Sequence, residues 1–561
     1  MSSQSSNYNG YDLEDLLPRW LKNAYTTSHI QSALTALDER ENARVRFRTE
    51  SLRSSNTERH LSPNANRPVG ERNGSKTPAA EAISRQFQNS DASGSTKFYS
   101  IVSGTSPENM QRNRYMDVLP YDRTRVQVKI PHFDKSGRNP AEDAEPEGLY
   151  LNANWVQERY GKKWWIASQA PLRNTAYTFL SMLLENMYPP KQNHKSSQSR
   201  PRTVVQLTQN IESGRRKAHP YFPDVVGQTM IIVPDFTDYP PPSHSAPTTT
   251  SRLQKSKLKV TLVAQERIDK ACCIKSLVEV KPFIDPPMAD EDSDKDSDDM
   301  PLRPGPSSST ASPSGAKTNA DSDNYGDSHD SSDSTKLESK QSPRTPASIQ
   351  FTHLLFDAWP DHSVPSSSDR AALFEFVRLV DRVNRQMPSR ASRSERTAQT
   401  QIVQSSEGSL EKGGVSDLER STSTKDEQDV DPDPPIIVGC SAGIGRTGSF
   451  IAMNSLLRHA GFLPSFNHSE TPESRSAPEQ SAPSSQSPVG PAGSTTSSET
   501  PSLSFTTPLG PLPATLSNDL VSQEIDSLRE QRAGMVQRPE QAVLVYEMMV
   551  GAYVERGELK Q

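Results

Sequence analysis

The amino-acid sequence predicts an α/β domain that polar segments interrupt. Apolar runs of strand length, for example residues 202–208 and 348–356, alternate with stretches of helical periodicity, for example residues 373–383. A glycine-rich turn joins a short apolar strand to a helix at residues 435–450. Only 32% of the 561 residues are hydrophobic and 46 are proline, so the whole chain cannot be packed core. We therefore expect ordered blocks separated by solvated inserts.

The net charge and the cysteine count exclude several classes of protein. A formal charge of −6 is small for this length and does not indicate nucleic-acid binding. Three cysteines, two of them adjacent, cannot form a disulfide framework. No stretch approaches the roughly 18 apolar residues of a membrane span, and residues 1–5 lack the apolar core of a secretory signal. We expect a reduced intracellular protein, located in the cytoplasm and also in the nucleus.

Residues 1–95 are predicted to form an N-terminal extension that is mostly disordered. Five apolar residues recur there at helical spacing, namely Leu13, Leu16, Leu17, Trp20 and Leu21. They fit either a short docking helix or a weakly structured tail, and Pro18 suits only the first turn of a helix. Residues 52–96 contain few apolar side chains and are interpreted as a linker.

The predicted domain covers residues 96–556 and contains four disordered inserts. Their approximate bounds are 189–201, 285–347, 389–433 and 464–511. The second is acidic and serine-rich, and all four are too polar to bury the apolar surface that folding requires. We expect them to interrupt the domain without joining its core.

The clearest chemistry lies in residues 435–450, with the sequence Pro-Ile-Ile-Val-Gly-Cys-Ser-Ala-Gly-Ile-Gly-Arg-Thr-Gly-Ser-Phe. Five residues separate Cys440 from Arg446, and a tight loop over them would direct backbone N–H groups at one point beside the positive end of the next helix. Gly443 and Gly445 permit the positive φ angles that such a loop requires. The predicted oxyanion site is formed by Ser441, Ala442, Gly443, Ile444 and Gly445.

Three side chains of this stretch have predicted catalytic roles. Arg446 presents a planar set of donors that can bind two phosphoryl oxygens at once. Cys440 faces the helix amides and this arginine, which favours a nucleophilic thiolate near neutral pH. Thr447 is positioned in sequence to donate its hydroxyl to that sulfur.

Two other interpretations of the stretch are weaker. The run Gly443–Gly448 also satisfies G-x-G-x-x-G between a strand and a helix, as in a dinucleotide site. Such a site needs a second strand ending in an acidic residue about 20 positions later, where this chain is instead rich in serine and proline. An ordinary buried cysteine beside a turn would leave Arg446 and both loop glycines unexplained.

The run C-S-A-G-I-G-R-T-G resembles the signature of the tyrosine-specific, non-receptor protein tyrosine phosphatases, and the polar inserts resemble those of fungal members. The resemblance implies a twisted mixed sheet flanked by helices. It also implies hydrolysis of phosphotyrosine in proteins through a cysteinyl-phosphate intermediate, with no metal ion or other cofactor. Implied partners are tyrosine-phosphorylated proteins, including a MAP kinase that the enzyme would switch off. The sequence leaves the oligomeric state open.

Further motifs follow in the order that the family has. Residues 109–126 resemble the phosphotyrosine-recognition loop, in which Tyr115 would stack on the substrate ring and Asp117 would accept substrate backbone N–H groups. Residues 149–155 and 164–175 resemble scaffold motifs. Residues 357–365 resemble the loop in which Trp359 and Pro360 support a general acid, here Asp361.

The remaining assignments also depend on the resemblance. Glu212 is expected to pair with Arg446, and Lys217 to contact the acid loop. Residues 528–541 resemble the glutamine loop, in which Gln537 would orient the hydrolytic water with help from Gln541.

One position favours an alternative function, a catalytically impaired phosphotyrosine-binding module. Gly439 stands where the family usually has a histidine beside the nucleophile. A Gly439→His exchange is expected to support the loop only if the neighbouring packing admits the ring.

Overall fold

The structure is a computed structural model that describes residues 16–60, 90–129, 148–190, 199–235, 257–283, 348–361, 363–386, 430–466 and 507–558. The predicted insert at 285–347 lies entirely outside the described residues. The other three lie mostly outside them, as do residues 1–15 and 61–89 of the predicted N-terminal extension.

Ten helices are described, here numbered in chain order. They are α1 (Arg19–Ala24), α2 (Thr27–His60), α3 (Ser90–Phe98), α4 (Val102–Thr105), α5 (Pro107–Met110), α6 (Ala176–Ser181), α7 (Arg370–Arg385), α8 (Gly445–His459), α9 (Leu520–Gln531) and α10 (Pro539–Glu558). Within the described ranges, no helix combines the length and the apolar character needed to span a bilayer.

The strands form one large sheet and one hairpin. They are β1 (Arg125–Val128), β2 (Leu149–Gln157), β3 (Trp164–Gln169), β4 (Thr203–Gln206), β5 (Ile211–Glu212), β6 (Arg215–Arg216), β7 (Thr229–Ile232), β8 (Lys257–Ile268), β9 (Cys273–Phe283), β10 (Ile349–Phe356) and β11 (Ile436–Cys440). Nine of them follow the order β1-β2-β3-β11-β4-β10-β9-β8-β7, while β5 pairs only with β6.

The large sheet is mixed, as predicted. Its four central strands β3, β11, β4 and β10 run parallel, and the flanking strands pair antiparallel. Strand β11 lies between β3 and β4, so the loop that follows it emerges at the carboxyl edge of the parallel region. This edge is where α/β sheets bind ligands.

Helices cover both faces of the sheet, and the side chains of successive strand residues are buried on opposite faces. Ile436 and Val438 belong to a core cluster that includes α7, α8, α9 and α10. Ile437, between them, belongs to a second cluster that includes α6. Strand β11 is thus buried from both sides, which holds the loop after it on a rigid element.

The N-terminal region differs from the prediction of a mostly disordered extension. Helix α1 begins directly after Pro18, and its Leu21 is buried in the same core cluster as α8. Helix α2 occupies residues 27–60, and its last nine residues lie where the predicted linker begins. Its apolar residues Ile30, Leu34 and Leu37 pack in the main core cluster, and Phe47 and Leu52 pack against a smaller cluster that contains Tyr99. The buried Arg44 lies between these two groups in the sequence. Ion pairs of Arg40 and Arg44 with α9 add to these apolar contacts.

Candidate active site

The predicted oxyanion loop leaves the end of β11 and enters α8. Cys440 is the last residue of β11 and is 6% exposed, and α8 begins at Gly445. The loop between them is therefore short enough to keep the cysteine next to the first turn of a helix, where backbone N–H groups lack intrahelical acceptors.

The loop directs its carbonyl groups away from its concave side. Ala170 N–H donates to Ser441 O at 3.1 Å, and Val536 N–H donates to Ile444 O at 3.2 Å. Arg532 Nη2 donates to Ala442 O at 3.0 Å, and its Nε donates to Gly443 O at 2.8 Å. Among the described residues, the amides of 441–444 donate to no protein acceptor. These amides are the donors that an oxyanion requires.

Two glycines permit this course of the backbone. Gly443 has a φ of +72°, and a Cβ there would lie 2.2 Å from Ser168 O. Gly439 also lies close to the neighbouring strand, because a Cβ there would lie 2.6 Å from Ser168 O. The packing around Gly439 therefore does not admit the family's histidine without a shift of β3.

Hydrogen bonds fix the orientation of the Arg446 guanidinium. Its Nη1 and Nη2 donate to Glu212 Oε1 and Oε2 at 2.7 and 2.8 Å, and Nη1 also donates to Leu207 O at 2.9 Å. Burial lowers the pKa of Arg446, but the hydrogen-bonded Glu212 carboxylate outweighs it, so this pKa lies above its usual value. The predicted pairing with Glu212 is present, and it leaves a fixed cation beside the loop.

The acid loop places Asp361 beside Arg446. Asp361 Oδ1 lies 3.2 Å from Arg446 Nη2, and Oδ2 lies 2.6 Å from Lys217 Nζ. Trp359 is buried and donates from Nε1 to Ser363 O at 3.1 Å, while Pro360 is exposed. The predicted contact of Lys217 with this loop is therefore present.

The predicted recognition loop borders the same site. Tyr115 Oη and Ser441 Oγ are 2.8 Å apart, and Ser441 Oγ donates to Lys217 O at 2.9 Å. Gln169, the last residue of β3, holds this loop because its Oε1 accepts from Arg114 N–H at 2.9 Å. Asp117 is exposed at the rim.

The two predicted glutamines lie at different depths. Gln541 is buried against the oxyanion loop, since a Cβ on Gly445 would lie 2.9 Å from its Nε2. Its Oε1 also accepts from Arg538 N–H at 3.1 Å. Gln537 is exposed in the turn before α10, with no side-chain hydrogen bond to any described residue.

Comparison with known proteins agrees with this arrangement. Residues 109–278 and 415–461 match the family model described as protein-tyrosine phosphatase. The two ranges contain the recognition loop, Glu212, Lys217, Cys440 and Arg446. These two stretches of the chain are similar to the protein-tyrosine phosphatases. Asp361 and Gln537 lie outside both ranges, on the far side of segments that the structure does not describe.

Curated proteins similar to this chain are tyrosine-protein phosphatases. Human tyrosine-protein phosphatase non-receptor type 12 is 31% identical over 128 residues, which is 23% of this chain and 13% of the relative. Rat tyrosine-protein phosphatase non-receptor type 9 is 25% identical over 366 residues, which is 65% of this chain and 38% of the relative. The chain thus spans well under half the length of these relatives.

A solved structure described as "Structural basis of PTPN18 fingerprint on distinct HER2 tyrosine phosphorylation sites" aligns with 84% of this chain and 93% of its own. Its identity is 16% and its TM-score is 0.38, which is too low to bear on the fold. The mixed strand order above carries the fold assignment instead.

Two details of the oxyanion loop, residues 441–445, called the phosphatase loop below, differ from prediction. The predicted hydrogen bond from the Thr447 hydroxyl to the Cys440 sulfur is absent. Thr447 is completely buried in the first turn of α8, and its Oγ1 has no partner among the described residues. Gly445 has no positive φ, since it already begins the helix. Its lack of a side chain instead makes room for Gln541.

Sequence reasoning missed the residues that hold the loops from behind. Arg532 reaches the carbonyls of the phosphatase loop and also donates to Asn152 Oδ1 and Asn154 Oδ1 at 2.9 and 2.7 Å. Burial lowers the pKa of Arg532 to about 10, so its guanidinium stays charged at neutral pH. Arg532 follows directly after α9 in an extended conformation, and no sequence pattern indicated its contacts.

Val536 was also missed. It has a φ of +54°, a rare conformation for a β-branched residue. Its N–H bonds Ile444 O, and its carbonyl accepts from Arg529 Nη2 at 2.8 Å. The strained turn at Val536 therefore attaches the segment with Gln537 and Gln541 to the phosphatase loop.

Proposed function

We propose that this domain hydrolyses phosphotyrosine in proteins through a cysteinyl-phosphate intermediate. The observation that carries the proposal is the loop after β11, whose carbonyls are all bound on its outer side while its amides and Arg446 surround Cys440. Such a site stabilises the charge of a transferring phosphoryl group without reorganising during the reaction.

In the first step, the Cys440 sulfur attacks phosphorus as the bond from phosphorus to the phenolic oxygen breaks. The loop amides and Arg446 bind the three remaining phosphoryl oxygens. Asp361, which lies 3.2 Å from Arg446, transfers its proton to the departing phenolic oxygen. Tyrosine leaves, and the phosphoryl group is covalently bound to sulfur.

In the second step, water attacks the phosphocysteine and the bond from phosphorus to sulfur breaks. Asp361, now a carboxylate, takes a proton from that water. Inorganic phosphate is released, and the Cys440 thiolate is regenerated. Gln541 is buried beside the loop and Gln537 lies at the turn above it, so either amide can orient the water by accepting and donating together.

Pocket depth is proposed to exclude shorter phosphorylated side chains. Tyr115 is hydrogen-bonded to Ser441 at the rim, so its ring can stack on a phenol that reaches down to Cys440. Phosphoserine would be too short to place its phosphorus on the sulfur. Asp117, exposed on the same loop, is proposed to accept N–H groups of the substrate backbone.

The physiological role proposed is negative regulation of kinase signalling in the cytoplasm and nucleus. A tyrosine-phosphorylated MAP kinase is the proposed partner, by analogy with the fungal phosphatases that the inserts resemble. A pulldown from the native cell with the Cys440→Ser chain tests this, since the variant should retain phosphoprotein that vanadate releases. Recovery of no tyrosine-phosphorylated protein kinase would contradict the assignment.

The alternative, a binding module that has lost catalysis, is motivated by Gly439. Turnover of a small aryl phosphate by the purified chain separates the two. The phosphatase should hydrolyse it, with inhibition by vanadate and no effect of a chelator. Binding of phosphotyrosine peptide without any turnover would favour the module.

A further inference from the structure

We propose that a cavity behind the Cys440 backbone binds a small uncharged molecule with a mostly apolar body and one hydrogen-bonding edge, such as a neutral five-membered azole. The cavity lies on the sheet face that α6 covers and is called the β11 cavity below. Its walls include Ser168, Phe179, Gln206, Tyr221 and Gly439. This inference goes beyond the proposed function, because the ligand is not the substrate and binds at the same time as a phosphate ion.

The register of the sheet leaves a gap at Gly439. Gly439 pairs with Ser168 on β3 and with Gln206 on β4. Two residues earlier, Ile437 is buried in the core cluster that includes α6, so Gly439 faces the same side of the sheet. Gly439 has no side chain and Ser168 has a small one. The Gln206 amide is drawn aside, because its Oε1 accepts from His353 Nε2 at 3.2 Å.

The size of the cavity and its apolar walls limit what can bind. The empty space is about 260 Å³, part of which is open solvent. Phe179, Val204 and Ile437 line it, and all three are buried in the same core cluster. Pockets for drug-sized molecules measure roughly 300–1,000 Å³. The β11 cavity therefore fits a molecular fragment with an apolar body.

The Tyr221 hydroxyl lacks a partner at this cavity. Tyr221 lines the cavity and is only 2% exposed. Within the part of the chain that the structure describes, its hydroxyl forms no hydrogen bond, yet the oxygen is not fully enclosed by protein. Burial alone raises the pKa of Tyr221, with no contribution from a neighbouring charge or hydrogen bond. Since the rest of the residue is buried, the hydroxyl faces the cavity and can both donate to and accept from a ligand.

A second hydroxyl complements the first. Ser168 Oγ donates its proton to Gln169 O at 2.8 Å, so toward a ligand it can only accept. The Gln169 amide is already occupied, because its Nε2 donates to Arg112 O at 2.7 Å and its Oε1 accepts from Arg114 N–H. Tyr221 and Ser168 therefore supply one donor and one acceptor for the same ligand.

The lining also selects against ions and against water. Among the described residues that line the cavity, none is an Asp, Glu, Lys, Arg or His. A charged ligand would lose its hydration there without a fixed opposite charge in return. A buried water typically makes about three hydrogen bonds, whereas the side chains here offer two hydroxyl groups. An uncharged ring with a donor beside an acceptor matches both groups and fills the apolar space.

The β11 cavity shares only Cys440 with the residues assigned to catalysis or substrate binding. It includes none of residues 441–446, and neither Asp361 nor Tyr115 lines it. The Cys440 side chain is buried with Val438 in the cluster on the opposite face, so the Cys440 backbone borders the cavity. A ligand in the cavity therefore leaves the amides of the phosphatase loop open to phosphate.

Pyrazole is the probe, because its neutral five-membered ring carries an N–H donor beside an acceptor nitrogen. Its binding to the purified full chain is measured by isothermal titration calorimetry. We expect a Kd on the order of 1 mM, as suits a ligand of this size. Saturating inorganic phosphate should change this Kd by less than about 2-fold, because the two sites are separate. The measurement uses no turnover, so its result is independent of the proposed function.

The variant Tyr221→Phe should bind pyrazole at least about 5-fold more weakly, because it removes one hydrogen bond. It should fold, since this hydroxyl bonds no described residue. The matched control Tyr160→Phe removes a hydroxyl that donates to Gln523 Oε1 at 2.9 Å outside the cavity, and should keep the Kd within about 2-fold. No saturable binding up to about 20 mM pyrazole would mean that the cavity holds water only and would overturn the proposal. Equal affinity of Tyr221→Phe and the unaltered chain, or displacement of pyrazole by phosphate, would also overturn it.

Discussion

Asp361 lies between two cations, Arg446 and Lys217. We predict that Asp361→Asn lowers kcat for a phosphotyrosine peptide by about 10²- to 10⁴-fold, because the phenolate would leave unprotonated. KM should change little, since the phosphate ligands remain. Steady-state kinetics measures both. Asp357→Asn is the matched control, because this carboxylate pairs with Arg267 outside the site; an equal loss in both variants would mean that Asp361 is not the acid.

Gly439 is constrained by the neighbouring strand. A Cβ at this position would lie 2.6 Å from Ser168 O, a backbone atom that cannot turn away. We predict that Gly439→Ala lowers the free energy of unfolding by about 1–3 kcal/mol, as overpacking does, and that Gly439→His lowers it more. Restoring the family's histidine should therefore not improve activity.

Urea titration of Gly439→Ala measures this cost. Gly551→Ala is the control, because a Cβ there meets nothing within 4 Å and lies inside a helix. It should stabilise the protein by about 0.5–1 kcal/mol. If both variants are neutral, the close approach of β3 to Gly439 has no energetic effect.

The residues of the site could be predicted where a short motif surrounds them. Cys440, Arg446, Glu212, Lys217 and Asp361 were each predicted, and the structure brings them together. Arg532 and Val536 could not be predicted in the same way, because their partners are backbone carbonyls and an amide supplied by the distant phosphatase loop. No local pattern in the chain records such contacts.

At the scale of elements, helix α2 is attached to α9 by ion pairs. Arg44 is fully buried and donates to both Glu530 and Asp526, and Arg40 binds both carboxylate oxygens of Asp526 at 2.9 Å. We predict that Arg44→Ala lowers the free energy of unfolding by about 3–5 kcal/mol, because it removes the guanidinium that pairs with the buried Glu530 carboxylate. Arg53→Ala, on an exposed part of the same helix, should change it by less than about 0.5 kcal/mol.

Chemical denaturation of the full chain compares the two variants. Equal stability of the Arg44 and Arg53 variants would show that α2 is not fastened to the domain as described. The three arginines at positions 40, 44 and 48 were the sequence signal for this helix, since residues four apart share one face. A prediction based on apolar periodicity could not use it. Helix α7 was predicted because its apolar stripe is continuous.

At the scale of the whole molecule, burial of charged groups makes stability depend on pH. Glu524 lies in the core, where Ser455 Oγ donates to its Oε2 at 2.6 Å and Arg159 N–H to its Oε1 at 3.1 Å. Burial nevertheless raises the pKa of Glu524 to about 8 from an ordinary value of 4.5. Between these values the folded chain binds a proton that the unfolded chain releases.

The sign follows from this difference in bound protons. The contribution of Glu524 to stability is fully present below about pH 4.5 and is lost as the pH rises through about 8. Between pH 6 and 8.5 the free energy of unfolding should decline as the pH rises. We predict that it declines less in Glu524→Gln than in the unaltered chain, by on the order of a few kcal/mol. Glu39→Gln, an exposed control, should leave the decline as it is. Parallel curves for both variants would contradict the assignment.

The order of the whole sheet was beyond prediction from the residues. Strand β11 lies between β3 and β4, although the chain reaches it only after β10. Individual strands could be predicted from their apolar runs, but partner choice depends on contacts between residues hundreds of positions apart. The mixed sheet flanked by helices was expected because the motifs resembled a family, and the structure confirms it.

The most direct test of the account is to trap the intermediate. The purified chain is mixed with a phosphotyrosine peptide, denatured within milliseconds and digested, and the fragments are analysed by mass spectrometry. We predict a phosphoryl group on Cys440 during turnover, none in Cys440→Ser, and no turnover by that variant. Turnover of the peptide by Cys440→Ser, or turnover by the unaltered chain without phosphate ever appearing on Cys440, would contradict the account.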